Sequence, residues 1–245
     1  MIILFAPSEG KREGGNFAQL NCDSFIFPEL YAKRLEILER YEGLVQEGSV
    51  ETLGELFGIK NTEEFERYKT PFATAPTMKA IERYDGVAYD YLRYETLDND
   101  SQSYLEKNVI LFSNLFGPIA AGDLIPDYKL KQGSSIEGLA PEKHYKEYFS
   151  AALDVRIADE EVLDLRAGFY DKFYIPKEKA TTLKFLKEGK VVSHWAKAYR
   201  GIVLREAAMH RVGSIEGLLA LNIEGLALSE IIETKKSKEV IYRII

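Results

Sequence analysis

The chain has 245 residues and a formal net charge of −7, which argues against a protein whose whole surface binds polyanions. Its single cysteine excludes an internal disulfide and a metal site built from several cysteines. No apolar run reaches the about 18 residues that a membrane helix needs, and the N-terminus lacks the basic start of a signal peptide. We therefore expect a cytoplasmic protein with no membrane partner.

Apolar spacing and capping residues predict the elements of the first half of the chain. Pro28 suits the first position of a helix, and Gly58 suits a helix end. Asn61, with Glu64 three residues later, resembles a capping box. The predicted elements are a buried strand at 1–6 and helices at 28–46, at 49–57, from 61 onward and at 76–84.

The second half of the chain is predicted in the same way. Its elements are strands at 108–113, 128–131 and 162–165, hairpins at 181–186 with 190–194 and at 226–232 with 240–244, and helices at 141–157, at 196–211 and after Ser214. We find no internal repeat or long linker, and therefore expect a single domain over 1–245. Strands and helices alternate irregularly, which favours a mixed α/β (α+β) fold with a mixed sheet flanked by helices.

Positive charge is concentrated in residues 171–211, which hold ten Lys or Arg against four Asp or Glu. Helical spacing places several of these cations on one side of the predicted helix, together with small residues that would admit a close partner. That side carries Lys197, Arg200, Gly201, Leu204, Ala208 and Arg211. Arginine and lysine near a helix start suit a phosphate. The alternative is a solvated helix face.

Three further residues of this segment are candidates for function. Arg205 lies towards the edge of the cationic side. Glu206 falls on the apolar side, where it is either the ion-pair partner of an arginine or a functional carboxylate. His194, at the end of a predicted strand, could meet Asp123 or Asp164 in space, although a lone histidine there is more often an ordinary hydrogen-bonded residue.

Two loops could meet this helix at a sheet edge. The first strand runs into a turn that carries Ser8, Glu9 and Lys11, and polar groups at a strand end often form sites. The spacing is not that of a Walker A loop. The loop at 121–131 carries further polar side chains that could reach the same cleft, namely Asp123, Tyr128, Lys129 and Lys131. In either place the alternative is an ordinary connection.

The turn around Gly58, Leu-Phe-Gly-Ile-Lys, resembles the turn of a helix-hairpin-helix, whose backbone amides contact DNA phosphates. Its flanks are acidic, which would repel a phosphate backbone. No nucleophile elbow and no pair of histidines four residues apart is present. The sequence thus contains no recognised catalytic motif, and we expect neither a metal site nor a cofactor.

Four segments, in order along the chain, are similar to the YaaA peroxide-stress family of bacteria. They are residues 4–11 (LFAPSEGK), 84–89 (YDGVAY), 115–130 (LFGP through PDYKL) and 196–201 (AKAYRG). The resemblance implies a cytoplasmic protein that protects against hydrogen peroxide by limiting free iron and the damage that iron causes. It also implies one α/β domain with a helix-hairpin-helix and a positively charged cleft that binds duplex or structured DNA. We expect no protein partner.

The resemblance and the charge pattern together predict a set of site residues. The expected phosphate contacts are Lys11, Lys129, Lys131, Lys197, Arg200, Gly201 and Arg205. The expected pocket residues are Ser8, Glu9, Asp123, Tyr128, His194 and Glu206. Acids, bases and cations in one pocket would also fit an enzyme that acts on a nucleotide or another phosphorylated small molecule, and this alternative stays open.

Overall fold

The structure, a computed structural model, describes residues 1–235 and 237–245, the side chains of Cys22, Ser193 and His194 excepted. Within these residues the fold is mixed α/β, with eight strands in one sheet and two small two-stranded sheets. The strands are β1 (Ile2–Phe5), β2 (Gly10–Lys11), β3 (Thr77–Lys79), β4 (Tyr84–Asp85), β5 (Val109–Ser113), β6 (Gly117–Ala120), β7 (Leu124–Pro126), β8 (Val162–Asp164), β9 (Ala180–Lys187), β10 (Lys190–Val191), β11 (Leu226–Glu233) and β12 (Ser237–Ile244).

Helices connect and cover these strands. They are α1 (Tyr31–Glu47), α2 (Val50–Phe57), α3 (Ala80–Arg83), α4 (Val87–Leu92), α5 (Asn99–Asn108), α6 (Pro141–Ile157), α7 (Ser193–Met209) and α8 (Ile215–Leu219). Short 3-10 helices lie at Cys22–Ser24, Pro28–Leu30, Thr62–Tyr68, Tyr94–Thr96 and Gly168–Lys172. No helix of the described residues is long and apolar enough to cross a membrane.

The strand order in the large sheet is β11-β12-β9-β8-β1-β5-β6, with β10 beside β9. Neighbours from β12 to β5 are parallel, whereas β6, β10 and β11 add antiparallel edges. Every residue of β1 and β5 is buried. Their continuous apolar runs therefore fit strands that are covered on both faces of a parallel sheet.

The direction of winding reverses at β1. After β1 the chain adds β5 on one side and later returns to place β8 on the other side. In open parallel sheets, ligands bind beyond the carboxyl ends of the strands at such a reversal. The topology therefore directs attention to the segments that follow Phe5 and Asp164.

Most of the predicted elements are confirmed. The predicted helix at 141–157 is α6, the strand at 108–113 is β5, and the final hairpin is β11 with β12. The predicted caps Asn61 and Ser214 are present, because their side chains accept hydrogen bonds from backbone amides of the helices that follow, and Ser49 caps α2 in the same way. Local apolar period and capping chemistry were sufficient signals for these elements.

Three predictions were wrong. The predicted helix at 76–84 begins as strand β3, which pairs with β7 more than forty residues away, a contact that local sequence does not reveal. The predicted strand at 128–131 forms no ladder, because Lys129 bonds the Tyr41 hydroxyl and Lys131 bonds the Leu56 carbonyl. The strand predicted at 190–194 ends at Val191, and α7 begins at Ser193.

The cationic side of α7 is solvated at its start, at Lys197, and just beyond its end, at Arg211, but not along its length. Gly201, Leu204 and Ala208 on that side are buried, while Lys197 is exposed and Arg200 is half-buried near the start of the helix. Gly201 packs against the Ala88 backbone of α4 so closely that any side chain would overlap it. The small residues therefore admit a neighbouring helix, and the first turns of α7 alone present their cations to the cleft.

Candidate anion-binding cleft

A cavity of about 540 Å³ lies at the carboxyl ends of β1 and β8. Its walls come from the segment after β1, the segment after β8, the first residues of α4 and the start of α7. The polar and charged side chains of the lining include Ser8, Glu9, Gln132, Tyr170, Lys197 and Arg200. The cavity thus occupies the position at which the sheet topology predicts a ligand site.

Lys197 and Arg200 bring positive charge into this cavity from one side of α7. The two residues are three positions apart, so they lie on the same helix face. Among the described side chains, none forms a hydrogen bond or an ion pair with either cation at ordinary distance. Two neighbouring cations without a paired carboxylate form a surface that favours an anion.

Arg200 is the more buried of the two cations. Burial lowers the pKa of its guanidinium, and the nearby Asp164 carboxylate opposes that effect. Asp164 itself is engaged elsewhere, because both of its oxygens accept hydrogen bonds from Arg166 at 2.7 and 2.9 Å. Since a partly desolvated guanidinium is costly without a partner, an anion bound here would gain a strong charge-assisted contact.

The turn after β1 is fixed by a glycine at the start of α4. Gly86 has φ of 143°, and a Cβ on it would lie 2.6 Å from the Ser8 hydroxyl oxygen. The absence of a side chain at position 86 therefore lets Ser8 approach the backbone and line the cavity. Tyr89, one turn further on, donates its hydroxyl to the Ala6 carbonyl at 2.8 Å and ties α4 to the same turn.

The cavity wall formed by the segment after β8 is held by an ion pair that lies beneath it. The Arg166 guanidinium, 1% exposed in its side chain, donates to the carbonyls of Tyr170 and Tyr174 as well as to Asp164. It also lies 4.4 Å from the centre of the Phe112 ring. Arg166 therefore positions the segment whose Tyr170 hydroxyl accepts from the Gln132 amide at 3.1 Å.

Two lysines lie behind the turn of Ser8 and Glu9. The ammonium of Lys11 donates to the carbonyl oxygens of Ser8 at 3.4 Å and Glu9 at 3.3 Å. The ammonium of Lys129 donates to the same Glu9 carbonyl at 3.3 Å. Tyr128, a predicted pocket residue, lies beneath Lys11, whose ammonium is 4.1 Å from the ring centre. The structure thus brings these three predicted residues to the border of the cavity rather than into its lining.

Asp123 does not join this cleft. Its carboxylate is buried and accepts hydrogen bonds from the amides of Ala120 at 2.8 Å and Ile26 at 3.3 Å. Burial raises the pKa of Asp123 to about 6, against the lowering effect of these bonds and of Arg34. The carboxylate therefore organises the loop after β6, and the expectation that it shares a pocket with Lys11 is wrong.

Lys131 lies over the turn that resembles a helix-hairpin-helix. A Cβ on Gly58, which has φ of 68°, would meet the Lys131 side chain at 2.8 Å. The element after the turn is the 3-10 helix Thr62–Tyr68 rather than an α-helix. The flanking acidic side chains are exposed, namely Glu51, Glu55, Glu63, Glu64 and Glu66. These exposed carboxylates would therefore repel a phosphate backbone at this turn, as the sequence predicts.

The remaining predicted residues of α7 have structural partners. Arg205 donates to the carbonyls of Leu92 and Arg93 and to the Thr96 hydroxyl, which fastens α7 to the end of α4. Glu206 lies 3.6 Å from the imidazole of His210, one helical turn later, so its partner is not the expected arginine. Neither Arg205 nor Glu206 lines the cavity.

His194 is part of the predicted pocket, but its side chain lies outside the described residues. Its backbone belongs to the first turn of α7 rather than to the end of a strand. The structure therefore corrects the predicted element at this position. The pocket role of the His194 side chain stays a prediction.

Sequence reasoning missed several residues of the cavity wall. Gln132 and Tyr170 face the cavity, as does the backbone at the start of α4. A usable signal existed for the wall after β8, because that segment directly follows a predicted parallel strand. No local signal marks Gln132, which reaches the site only through the loop that packs against Glu9. Among the described residues, no group of three or more His, Cys, Asp or Glu is placed to hold a metal ion.

Comparison with known proteins identifies the family of this chain. Residues 1–231 match the family described as "Peroxide stress protein YaaA". An uncharacterized protein of Campylobacter jejuni is 49% identical over 100% of both chains. A UPF0246 protein of Streptomyces coelicolor is 33% identical over 84% of this chain and 82% of its own. One of Corynebacterium efficiens is 34% identical over 85% of each chain. The chain therefore belongs to the YaaA peroxide stress protein family.

Proposed function

We propose that this peroxide stress protein binds DNA through the cleft at the carboxyl ends of β1 and β8. The observation that carries the proposal is the pair Lys197 and Arg200, two cations on one face of α7 without a described anionic partner at ion-pair distance. Lys129 extends the positive charge behind the neighbouring turn, together with Lys11, which is partly protonated at neutral pH because burial lowers its pKa to about 7. Such a cluster in an acidic chain concentrates DNA affinity at one place.

The chemistry of the contacts predicts how binding responds to salt. Each phosphate neutralised by a cation releases counterions, so the logarithm of the affinity falls linearly with the logarithm of the salt concentration. Replacing Lys197 and Arg200 together by alanine removes two such contacts. The slope for duplex DNA then becomes shallower by about two, and affinity at low salt falls.

Fluorescence anisotropy with a labelled duplex, measured over a series of salt concentrations, tests this proposal. The matched control is Lys107→Ala/Arg156→Ala, which removes the same charge from exposed positions that do not line the cavity. Equal affinity and equal slope for wild type and Lys197→Ala/Arg200→Ala would contradict the proposal. Equal losses in the two double variants would assign the effect to net charge alone.

We further propose that this protein acts in the cytoplasm, where its binding to DNA limits the damage that iron and peroxide cause. The family description supports the role in peroxide stress. A protein bound to the phosphate backbone shields that backbone from diffusing oxidants. Nicking of a supercoiled plasmid by ferrous iron and hydrogen peroxide measures this effect. Wild type should reduce nicking at concentrations at which Lys197→Ala/Arg200→Ala does not.

A second candidate function is supported by the size of the cavity. Small-molecule sites typically enclose about 300–1,000 Å³, and a cavity of about 540 Å³ falls in that range. An enzyme acting on a nucleotide or another phosphorylated small molecule would place the phosphate on Arg200. A nucleoside monophosphate that competes with duplex DNA at micromolar concentration, while the free nucleoside does not, would favour this second function.

A further inference from the structure

A second cavity, of about 290 Å³, adjoins the first, and Ala167 and Arg200 line both. It lies at a gap in the large sheet, because β9 pairs with β8 only as far as Thr182 and with β10 only from Leu186 onward. Residues 183–185, between these two pairings, form part of its wall. The last residue of β8 also lines it, so both cavities lie at the sheet edge where the topology predicts a ligand.

The segment that follows β8 runs between the two cavities. Leu165 and Tyr170 of this segment line the first cavity, whereas Arg166 and Asp171 line the second. Arg200, which comes from α7, borders both cavities with its guanidinium-bearing side chain. A ligand long enough to occupy both cavities therefore passes this cation, which favours an anionic group at that point of the ligand.

The two cavities differ in the chemistry of their walls. Apolar side chains, among them Phe5, Val87 and Leu165, form much of the first wall, and such a wall suits a planar ring such as a nucleobase. The second wall carries the Thr182 hydroxyl and the Asp171 carboxylate. The oxygens of these groups accept hydrogen bonds, so they suit a ligand group with several hydroxyls, such as a sugar.

The acceptors of the second cavity are available to a ligand. The Asp171 carboxylate, whose side chain is 60% exposed, lies 3.8 Å from the Arg166 guanidinium, beyond hydrogen-bond distance. Within the described part of the chain, the Thr182 hydroxyl forms no hydrogen bond. Glu239, also in this wall, accepts from Lys184 through its Oε2 atom at the long distance of 3.4 Å. Sugar hydroxyls bound here would therefore displace no strong contact.

We propose that the two cavities bind one ligand, a nucleoside diphosphate that carries a sugar on its second phosphate. The nucleobase lies in the first cavity, the diphosphate lies beside Lys197 and Arg200, and the sugar hydroxyls donate to Asp171 and Thr182 in the second cavity. The phosphate contact rests on the anion site of the function proposed above, whereas the sugar subsite rests on the second cavity. ADP-ribose and UDP-glucose both have this chemistry and differ in base and sugar.

Isothermal titration calorimetry of the full-length protein, with AMP and ADP-ribose as probes, tests the proposal. AMP supplies the base and one phosphate without the second sugar, and its charge at pH 7.5 is nearly that of ADP-ribose. The wild type should bind ADP-ribose about tenfold more tightly than AMP, because hydrogen bonds to the second sugar add to the phosphate contact. Equal affinity for the two probes would overturn the proposal.

Two substitutions in the second cavity locate the sugar. Thr182→Val removes a hydroxyl at nearly constant shape, and Asp171→Asn removes the charge of an acceptor. The double variant should bind ADP-ribose about tenfold more weakly than the wild type does. Its affinity for AMP should stay that of the wild type, which also shows that the variant is folded. An unchanged affinity for ADP-ribose, or an equal loss for both probes, would overturn the proposal.

The matched control removes the same groups from exposed positions outside both cavities. Thr62→Val/Asp159→Asn meets this requirement and should change neither affinity. A loss of ADP-ribose binding in this control as large as that in Thr182→Val/Asp171→Asn would assign the effect to net charge and overturn the sugar subsite.

UDP-glucose distinguishes the two sources of this chemistry. Tighter binding of UDP-glucose than of ADP-ribose would assign a hexose linked to a pyrimidine nucleotide, and the reverse order would assign a ribose linked to a purine nucleotide. A wild type that binds duplex DNA but binds both of these ligands no more tightly than AMP overturns this inference alone. A wild type that binds ADP-ribose but no duplex overturns the DNA-binding proposal alone.

Discussion

Gly201 of α7 lies against Ala88 of α4 at a distance that leaves no room for a side chain. A Cβ at position 201 would overlap the carbonyl oxygen of Ala88 and press on its backbone. Both helices line the cleft, since Ala88 and Lys197 belong to its walls. The contact therefore sets the width of the site as well as the packing of two helices, which is why a phosphate-contact role was an incomplete interpretation of this glycine.

Replacing Gly201 by alanine should destabilise the protein and weaken ligand binding together. Insertion of a methyl group into a tightly packed contact typically costs about 1–3 kcal/mol, and separation of α4 from α7 displaces the cations of the cleft. Chemical denaturation and DNA titration measure the two effects. Gly213→Ala is the control, because an added Cβ there meets no atom within 4 Å. Equal stability of Gly201→Ala and Gly213→Ala would refute this account.

The ion pair of Arg166 with Asp164 predicts a larger loss. Arg166→Ala would leave a nearly buried carboxylate unpaired, and the carbonyls of Tyr170 and Tyr174 would lose their donor. Removal of one partner from a buried pair costs about 3–5 kcal/mol. Urea unfolding should show this loss for Arg166→Ala, and a change within about 0.5 kcal/mol for the exposed Arg156→Ala.

A double variant checks the physical cause of that loss. Asp164→Asn/Arg166→Met removes both charges, so the penalty of an unpaired buried carboxylate no longer applies, and part of the stability should return. If the double variant is as unstable as Arg166→Ala, the contribution of Arg166 lies in its bonds to the carbonyls of Tyr170 and Tyr174 rather than in charge pairing.

The sequence predicted those parts of the fold that depend on local chemistry. Caps at Asn61 and Ser214 and the helical period of α6 follow from contacts within a few residues. Strand β3 was predicted as helix because its partner β7 is distant in sequence. Helix phasing grouped Gly201 with Arg200, yet it could not tell whether that side faces solvent or α4, because this depends on tertiary packing.

The candidate site was predicted in part for a related reason. A strand end with polar residues indicated Ser8 and Glu9, and charge density indicated Lys197 and Arg200. These signals are visible in a single segment. Asp123 was expected among them but bonds two backbone amides in another loop, since a carboxylate in a loop gives no sign of which amides it will satisfy.

Asp123 should make the stability of the protein depend on pH with a sign that is unusual for a carboxylate. Its pKa rises from 3.8 to about 6 on folding, so the folded state binds more protons than the unfolded state between these values. Stability from this group is therefore fully present below about pH 4 and lost as the pH rises through 6, by up to about 3 kcal/mol.

Comparison of wild type with Asp123→Asn isolates this effect from other carboxylates. The asparagine oxygen still accepts from the amides of Ala120 and Ile26 and does not ionise. The variant should gain stability relative to wild type as the pH is raised from 4.5 to 7.5. Asp159→Asn, at an exposed position, should run parallel to wild type, and parallel curves for Asp123→Asn as well would contradict the raised pKa.

Lys11 predicts the opposite slope at higher pH. Its pKa falls from 10.5 in the unfolded chain to about 7 in the folded protein, so between these values the unfolded chain binds more protons. Wild-type stability should therefore rise with pH over this window through Lys11. Lys11→Met keeps the apolar length of the side chain over the rings of Tyr84 and Tyr128 and removes the titrating group. Its stability relative to wild type should be greatest below pH 7 and decline towards pH 10, as measured by urea unfolding.

Lys107→Met, which alters an exposed lysine, should show no such trend. A constant difference between Lys11→Met and wild type would mean that Lys11 keeps an ordinary pKa in the folded protein.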